Sequence, residues 1–505
     1  MLNIDLYHNI QLEPVEPEGL DINVALKNYV LFTYMDDELV VCVNDRYVSS
    51  AFAFIAKEAP SYKVIFLDEE SFDKLFNKFL ELRTDRELAG IDKGAEEEAV
   101  DEEMNLTEFL RNSTDILTSE ESAPIIKFVN SLFYQAIKKR SSDIHIEMHE
   151  FKGEVRFRID GVLVRHIELE KSILNLVISR IKVISNLDIS EKRIPQDGRT
   201  QVRIAGKTLD IRVSVLPTYY GERVVMRILM DSEDIPTMKE LGFAPDIIEI
   251  LNEVLNHSHG ILLVTGPTGS GKSTTLHAFM QRLSTPEKNI ITVEDPVEYK
   301  ADNISQIQVN AKVGLTFAAG LRSILRQDPD IVMVGEIRDA ETATIATQAA
   351  LTGHLVLSTL HTNNATSAIT RLADMKIEPF LISSSLLAVL AQRLVRLLCP
   401  HCKEEDTIAE EYVKMFGIPE DTPIYKSNGC KECAYTGYIG RRAIGEIFVL
   451  DDRIKDMLKE TTNDHQIRAV ARANGLVTLS YRLKELLIAG ETSLDEAIRV
   501  GIKDA

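Results

Sequence analysis

The residues with the most chemical content lie between Ile261 and Ser273, ILLVTGPTGSGKS. Gly266, Gly271, Lys272 and Ser273 satisfy the spacing G-x-x-x-x-G-K-[ST], with a β-prone apolar run before them and helical text, TTLHAFMQRLS, after. Glycines in such a loop let consecutive backbone N–H groups converge on phosphate oxygens, and the helix that follows presents its positive end to them. Gly266, Pro267, Thr268, Gly269, Ser270, Gly271, Lys272, Ser273 and Thr274 would therefore cradle the phosphates of a nucleotide, Lys272 neutralising charge and Ser273 holding Mg2+.

Two acidic clusters follow. In RQDPDIVMVGEIRD, Asp330 precedes an apolar run, 331–334, that ends at Gly335-Glu336. A carboxylate at the carboxyl end of a strand beside a phosphate loop sits at the ligand crevice of an open sheet; Glu336 would hold Mg2+ through water or polarise the attacking water. In ITVEDPVEY the acids are Glu294, Asp295 and Glu298. Glu294 is the first candidate for a general base, a role that needs a carboxylate within reach of the water; Asp295 before Pro296 also suits a plain turn. His354 and His361 flank the strand-like LVLST, too far apart to ligate one metal. His361, past the carboxyl end of that strand, either senses the γ-phosphate or is a satisfied polar histidine. Upstream, Arg193, Arg199, Arg203, Arg212, Arg223 and Arg227 punctuate a strand-rich stretch, most of them on solvated faces, with a subset able to reach a γ-phosphate.

Cys399-Pro-His-Cys402 and Cys430-Lys-Glu-Cys433 form two C-x-x-C pairs separated by 27 residues. Four thiolates at this spacing suit a closed tetrahedral Zn2+ site. The fifth cysteine, Cys42, reads as a buried structural thiol.

These groups need elements to hold them. Downstream of the phosphate loop, NIITVED, ISQIQV, FAAGLRSILRQ, DIVMVGE, ETATIATQAALTG and HLVLSTLH alternate strand and helix, which argues a mainly parallel sheet with helices on both faces. Before it, a helix APIIKFVNSLFYQAIKKR leads into SSDIHIEMHE and EVRFRIDGVLVRHIEL, whose period of two reads as a hairpin of a second α/β domain. The first 85 residues hold β-like runs, YVLFTY and ELVVCV, then helical text. AGIDKGAEEEAVDEEMNL is acidic, free of aromatics and unable to bury enough apolar surface to order itself, hence a linker. Past the cysteines, GYIGRRAIGEIFVLDDRIKDMLKE and the text from His465 onward read as amphipathic helices.

Composition narrows the class. Lys plus Arg number 57 and Asp plus Glu 78, a formal charge of −21, and that balance disfavours bulk nucleic-acid binding, which needs clustered positive charge. No run of about 18 apolar residues occurs and the first residues lack the pattern of a secretory signal. Together with cysteine usage that fits a reducing compartment, this predicts a cytoplasmic protein that meets membranes only through partners.

GPTGSGKST, ITVEDPVEY, RQDPDIVMVGEIRD, GHLVLSTLHTN, the four cysteines and GRRAIGEI occur together and in this order. Over about residues 120–505 the chain thereby resembles the traffic ATPases of type II secretion and type IV pilus assembly. The resemblance implies an α/β architecture: a RecA-like P-loop ATPase core (236–395), a PAS-like α/β second domain (121–235) closing on nucleotide, a small N-terminal α/β adaptor (1–88) joined by the acidic linker (89–120), a zinc knuckle (396–440) and C-terminal helices (441–505). It places Glu294 in the family's Asp box, Glu336 in its Walker B segment, His354 and His361 in its His box, and matches Arg199 and Arg212 to arginines presented to bound nucleotide. It implies ATP, Mg2+ and Zn2+ as cofactors, a homo-hexamer, and partners in the cytoplasmic domain of an inner-membrane secretion or pilus protein and in a polytopic platform protein, with no direct nucleic acid. The cysteine knuckle favours assembly over retraction motors, and the N-terminal part lacks a cyclic-dinucleotide-binding pattern, which points to type II secretion ahead of a pilus or DNA-uptake motor. A hexameric DNA-translocating ATPase would use the same phosphate loop and would respond to DNA.

Overall fold

In a computed structural model of the chain, the described residues are 6–7, parts of 12–79, and 122–501 other than 205–206, 230–234, 302, 408–411, 413, 415 and 420–421. The stretch expected as an acidic linker lies outside them. The chain forms two compact units, 1–134 with 202–208, and 135–201 with 209–505.

The first unit holds strands β1 (Leu6–Tyr7), β2 (Val30–Met35), β3 (Glu38–Asn44) and β4 (Lys63–Leu67), with helix α1 (Val48–Glu58) as the crossover between the parallel β3 and β4. Their order is β1-β4-β3-β2. Alternation along β3 sends Val41 and Val43 to one core with Phe32 and Phe54, and Val40 and Cys42 to another with Leu31 and Ile65. Burial pushes the Cys42 thiol up to about 12, the behaviour of a small apolar core residue. Helix α2 (Ser122–Lys138) follows.

A six-stranded sheet follows in the chain. Its strands are β5 (Ser141–Met148), β6 (Lys152–Ile159), β7 (Val162–Glu170), β8 (Gln196–Ile204), β9 (Lys207–Thr218) and β10 (Gly221–Leu229), in the order β7-β6-β5-β10-β9-β8. The stretch expected as one arm of a hairpin is itself two strands: Asp160 and Gly161, at φ 48° and 83°, form the tight turn between β6 and β7, the backbone shape that Asp-Gly favours in two-residue hairpins. Helix α3 (Lys171–Ile184) buries Leu174, Val177, Ile178 and Ile181 against this sheet, an i, i+3, i+4, i+7 stripe.

Next comes a seven-stranded sheet, order β13-β12-β14-β15-β11-β16-β19. Four of its strands, β11 (Gly260–Thr265), β12 (Ile290–Glu294), β14 (Ile331–Val334) and β15 (Leu355–Leu360), are buried at every residue. Strand β13 (Ser305–Gln308) lies parallel to β12 at the edge. Parallel strands need cover on both faces, which is why they read as unbroken apolar runs. One face is packed by α4 (Pro245–Leu255) and α5 (Lys272–Leu283) through Leu251, Leu276 and Phe279. The other is packed by α6 (Phe317–Ile324), α7 (Ala340–Leu351), α8 (Ser367–Asp374) and α9 (Pro379–Ser385) through Leu321, Ala346 and Ile369. Each fully buried Leu or Ile contributes roughly 1.5–3 kcal/mol.

The remaining strands correct the sequence reading. Residues 438–449, expected as helix, are a strand, β19 (Tyr438–Val449), antiparallel to the long β16 (Leu386–Leu398). Gly440 and Gly445 together with the β-branched Ile439, Ile444, Ile447 and Val449 disfavour a helix, and the free edge of β16 supplies a ladder of partners. The sheet therefore takes in residues on both sides of the cysteine segment, which also holds the short pair β17 (Glu404–Asp406) and β18 (Ile424–Lys426). The rest of the C-terminal text is helical: α10 (Asp452–Met457), α11 (Asp464–Ala473), α12 (Leu479–Ile488) and α13 (Leu494–Val500).

Candidate active site and metal centre

The loop between β11 and α5 is set by its glycines. Gly266, Gly269 and Gly271 have φ of 150°, 79° and 88°, values at which a side chain is strained. A Cβ on Gly266 would also lie 2.5 Å from the carbonyl oxygen of Gln392, and one on Gly271 2.9 Å from the Gln392 amide. Gln392, wholly buried on neighbouring β16, donates from Nε2 to Ser270 O at 2.9 Å and accepts from Thr275 Oγ1 at 2.8 Å, pinning both ends of the loop. Sequence reasoning missed it: a glutamine in the apolar text LLAVLAQRLVRLL is its only mark. The Ser270 hydroxyl is buried without a partner.

Lys272 curls back over the loop, its Nζ donating to Gly266 O at 2.9 Å and Pro267 O at 3.2 Å. Burial pushes its pKa below the usual lysine value, with Glu336 pulling it back up and Arg393 adding to the depression. Glu336 follows β14 and faces two cations and an imidazole: Lys272 through the field just described, Arg338, which is ion-paired to Oε1, and His361, whose Nε2 lies 3.6 Å from Oε2. Strand order explains the meeting. β15 lies between β11 and β14, so its carboxyl end carries His361 into the gap between the loop and Glu336. His354, at the other end of β15, bonds Ala349 O through Nδ1 at 2.9 Å and does not join them. Asp330, likewise at the amino end of its strand, accepts from Asn289 N at 2.7 Å and is structural.

Glu294 ends β12 and is 4% exposed. Its Oε1 accepts from Thr292 Oγ1 at 2.7 Å and Gln306 Nε2 at 3.1 Å, and its Oε2 lies 3.5 Å from His277 Nε2. The following residues, 295–300, contain a cis Asp295-Pro296 bond and take contacts from the six-stranded sheet: Arg212 Nη2 donates to Val297 O at 2.8 Å, Arg227 Nη1 stands 3.9 Å from Glu298 Oε1, and Lys300 Nζ is 2.5 Å from Asp210 Oδ2. Burial and then the neighbouring charge of exposed Arg199 push the Arg212 pKa down, and Arg212 Nε is buried without a partner. Arg193 and Arg223 instead pair with Glu191 and Glu147. Arg203 has its side chain outside the described residues.

The four cysteines converge. Leu398, the last residue of β16, pairs with Tyr438, the first of β19, so the two C-x-x-C segments meet where those strands open. Sulfur separations are 3.8 Å for Cys399–Cys430 and Cys430–Cys433 and 3.9 Å for Cys402–Cys433, and all four thiols lie within 4.8 Å of one another. A tetrahedron of Zn–S bonds of about 2.3 Å has edges of about 3.8 Å. Backbone N–H groups of Gly429, Cys430 and Gly437 point at Cys402 or Cys433 sulfur at 3.1–3.3 Å, as thiolate ligands require. The donor set could hold zinc.

Among the described residues no helix is long and apolar enough to cross a membrane. The family model for type II/IV secretion system proteins matches residues 118–499. The chain belongs to that family. As a secretion ATPase it is 48% identical over 435 residues to the type II secretion system protein E of Klebsiella pneumoniae, covering 86% of each chain. It is 50% identical over 404 residues to the type II secretion system ATPase E of Vibrio cholerae, covering 79% of this chain and 80% of that one. The Legionella pneumophila ATPase DotB shares the fold at a TM-score of 0.56 and 23% identity, over 74% of this secretion ATPase and 96% of DotB. Its fold is thus that of the RecA-like secretion and pilus ATPases, and it is a P-loop enzyme whose family uses ATP and Mg2+.

Proposed function

We propose that the protein works as a cytoplasmic hexamer at the inner membrane, hydrolysing ATP to drive assembly of a pilin-like fibre in type II protein secretion. Its N-terminal domain would bind the cytoplasmic part of an inner-membrane secretion protein, and its motion would act on a polytopic platform protein. The observation that carries the catalytic half is the convergence of Lys272, Glu336 and His361 beside a loop pinned by Gln392. Identity of 48% over 435 residues and 50% over 404 residues with proteins named for type II secretion carries the other half.

Backbone N–H groups of Gly266 and 268–274 bind the phosphates, and Lys272 turns from the loop carbonyls to the β/γ-phosphates. Ser273 would hold Mg2+, which would neutralise part of the phosphate charge. Glu294 or Glu336 activates the attacking water by accepting its proton. Arg199 and Arg212, the first lowering the second's pKa by its charge and the second carrying a buried Nε without a partner, neutralise the charge that develops on the γ-phosphate; arginine groups of this kind reach about 10³–10⁵ in rate. The test is ATPase turnover of the purified protein with and without the cytoplasmic domain of an inner-membrane secretion protein. Stimulation by that domain and none by DNA is expected; stimulation by DNA alone would overturn the reading.

A further inference from the structure

We propose that His277 is a positioning residue for ATP hydrolysis, joining the first turn of α5 to the free oxygen of Glu294. The inference rests on the catalytic reading above and names a residue that reading does not use.

His277 sits in the second turn of α5 and is 2% exposed. Its Nδ1 lies 2.9 Å from the carbonyl oxygen of Ser273. A carbonyl only accepts, so Nδ1 carries the hydrogen, an assignment made from the partner. The opposite ring nitrogen, Nε2, is buried, has no hydrogen-bond partner, and points at Glu294 Oε2, 3.5 Å away. A buried polar atom left unpaired costs stability, and nothing in the packing of α5 on β12 demands a histidine: Leu276, Phe279 and Met280 supply the apolar cover. On the other side of the contact, Glu294 Oε1 is saturated by Thr292 and Gln306. Oε2 is therefore the oxygen left for chemistry, and the His277 ring stands against it. The Tyr299 ring stands 4.9 Å from the imidazole, and its hydroxyl meets Thr274 Oγ1 at 3.0 Å. The 294–299 segment is thus fastened to the turn bearing Ser273 and Thr274 at two points.

With the hydrogen on Nδ1, Nε2 and Oε2 meet as two acceptors unless a proton lies between them; at 3.5 Å the contact is short of a full hydrogen bond, so a small displacement of the first turn of α5 changes it. Seating of phosphates on the loop moves that turn and, through His277, sets the direction of Oε2. His277 touches neither phosphate nor water in this arrangement; it acts through Glu294.

The experiment compares His277→Ala, His277→Asn, His277→Gln, Glu294→Gln and the double variant His277→Ala/Glu294→Gln by steady-state ATPase, with nucleotide binding by a fluorescent ATP analogue and a melting curve for each. Asn at 277 keeps the donor to Ser273 O but cannot reach Glu294; Gln places its amide near the Nε2 position. His277→Ala is expected to lower kcat about 10–100-fold, the range for loss of a group that orients a functional ligand, with KM and analogue binding little changed. His277→Gln recovers most of that loss and His277→Asn does not, whatever their melting temperatures. In the Glu294→Gln background His277→Ala adds nothing further, because coupled residues are non-additive. If Asn rescues as well as Gln, or if the two losses multiply, His277 is a helix-packing residue and the inference is overturned while the catalytic reading stands. If Glu294→Gln leaves kcat unchanged, the role given to Glu294 falls and this inference with it.

Discussion

On the proposed reading, Lys272 is the residue on which hydrolysis would depend most directly. Its contacts with Gly266 O and Pro267 O hold the ammonium over the loop, and its lowered pKa reflects burial ahead of the opposing pull of Glu336. Lys272→Ala is expected to cut kcat about 10²–10³-fold, and Glu336→Gln about 10²–10⁴-fold, each read in a phosphate-release assay against an unchanged melting temperature. Gln392 makes a subtler prediction. Gln392→Leu leaves Ser270 O and Thr275 Oγ1 unpaired in the interior, a cost of about 1–3 kcal/mol for each buried group; a raised KM for ATP together with a lower melting temperature is expected, and an unchanged KM would mean that the loop needs no such brace. Lys272, Glu336 and Ser273 were legible in the sequence because fixed spacing next to strand-like text leaves few other meanings. Gln392 and His277 were not, because each becomes significant only once a distant strand is laid beside the loop or the end of β12.

At the scale of elements, the apolar runs of β11, β12, β14 and β15 were readable because a strand buried on both faces has no polar side to confuse the period. β19 was misread as helix: Arg441, Arg442 and Glu446 interrupt its pattern, and the reason for a buried glutamate there is tertiary. Glu446 accepts from Ala365 N at 3.0 Å and lies 3.4 Å from Arg468 Nη1, so its place is fixed by α11 and the loop after β15. Strand β16 is clamped in a similar way from α13, where Glu496 accepts from Arg396 Nε at 2.9 Å and Arg499 Nε at 2.6 Å. Burial raises the Glu496 pKa, but the bonds from Arg499 and Arg396 outweigh it and hold the group below its ordinary 4.5. A carboxylate depressed in the folded state adds stability that is present above pH 4.5 and is lost as pH falls through the lower, folded pKa. Glu496→Gln should therefore lower the melting temperature at pH 7 and reduce its decline between pH 5 and pH 3; an unchanged acid limb would refute the clamp. The cysteine cluster predicts that a strong chelator, or Cys402→Ser, loosens the segment between β16 and β19, read as faster amide exchange there.

At the scale of the whole molecule, the second unit holds the six-stranded sheet and the seven-stranded sheet together, and their described polar links concentrate on two short stretches. Asp160 in the β6–β7 turn accepts from Gly440 N at 3.0 Å and faces Arg441; Arg212, Arg227 and Asp210 reach residues 297–300. The β6–β7 turn was missed in the sequence although Asp-Gly marks it, and its landing point on β19 was not legible at all, because nothing in either stretch encodes the other. A hexamer makes a further prediction: specific activity should rise with protein concentration and plateau as rings fill, and a flat dependence in the presence of monomer would count against ring-completed catalysis. Residues 297–300 begin three positions after Glu294, on the same short thread of chain. On the proposed reading, a tilt of the arginine-bearing sheet would pull that thread too, so that the acid would be in place only when the sheet is, and such a motor would resist idling: fuel would be burned when the levers are engaged and kept when they are slack.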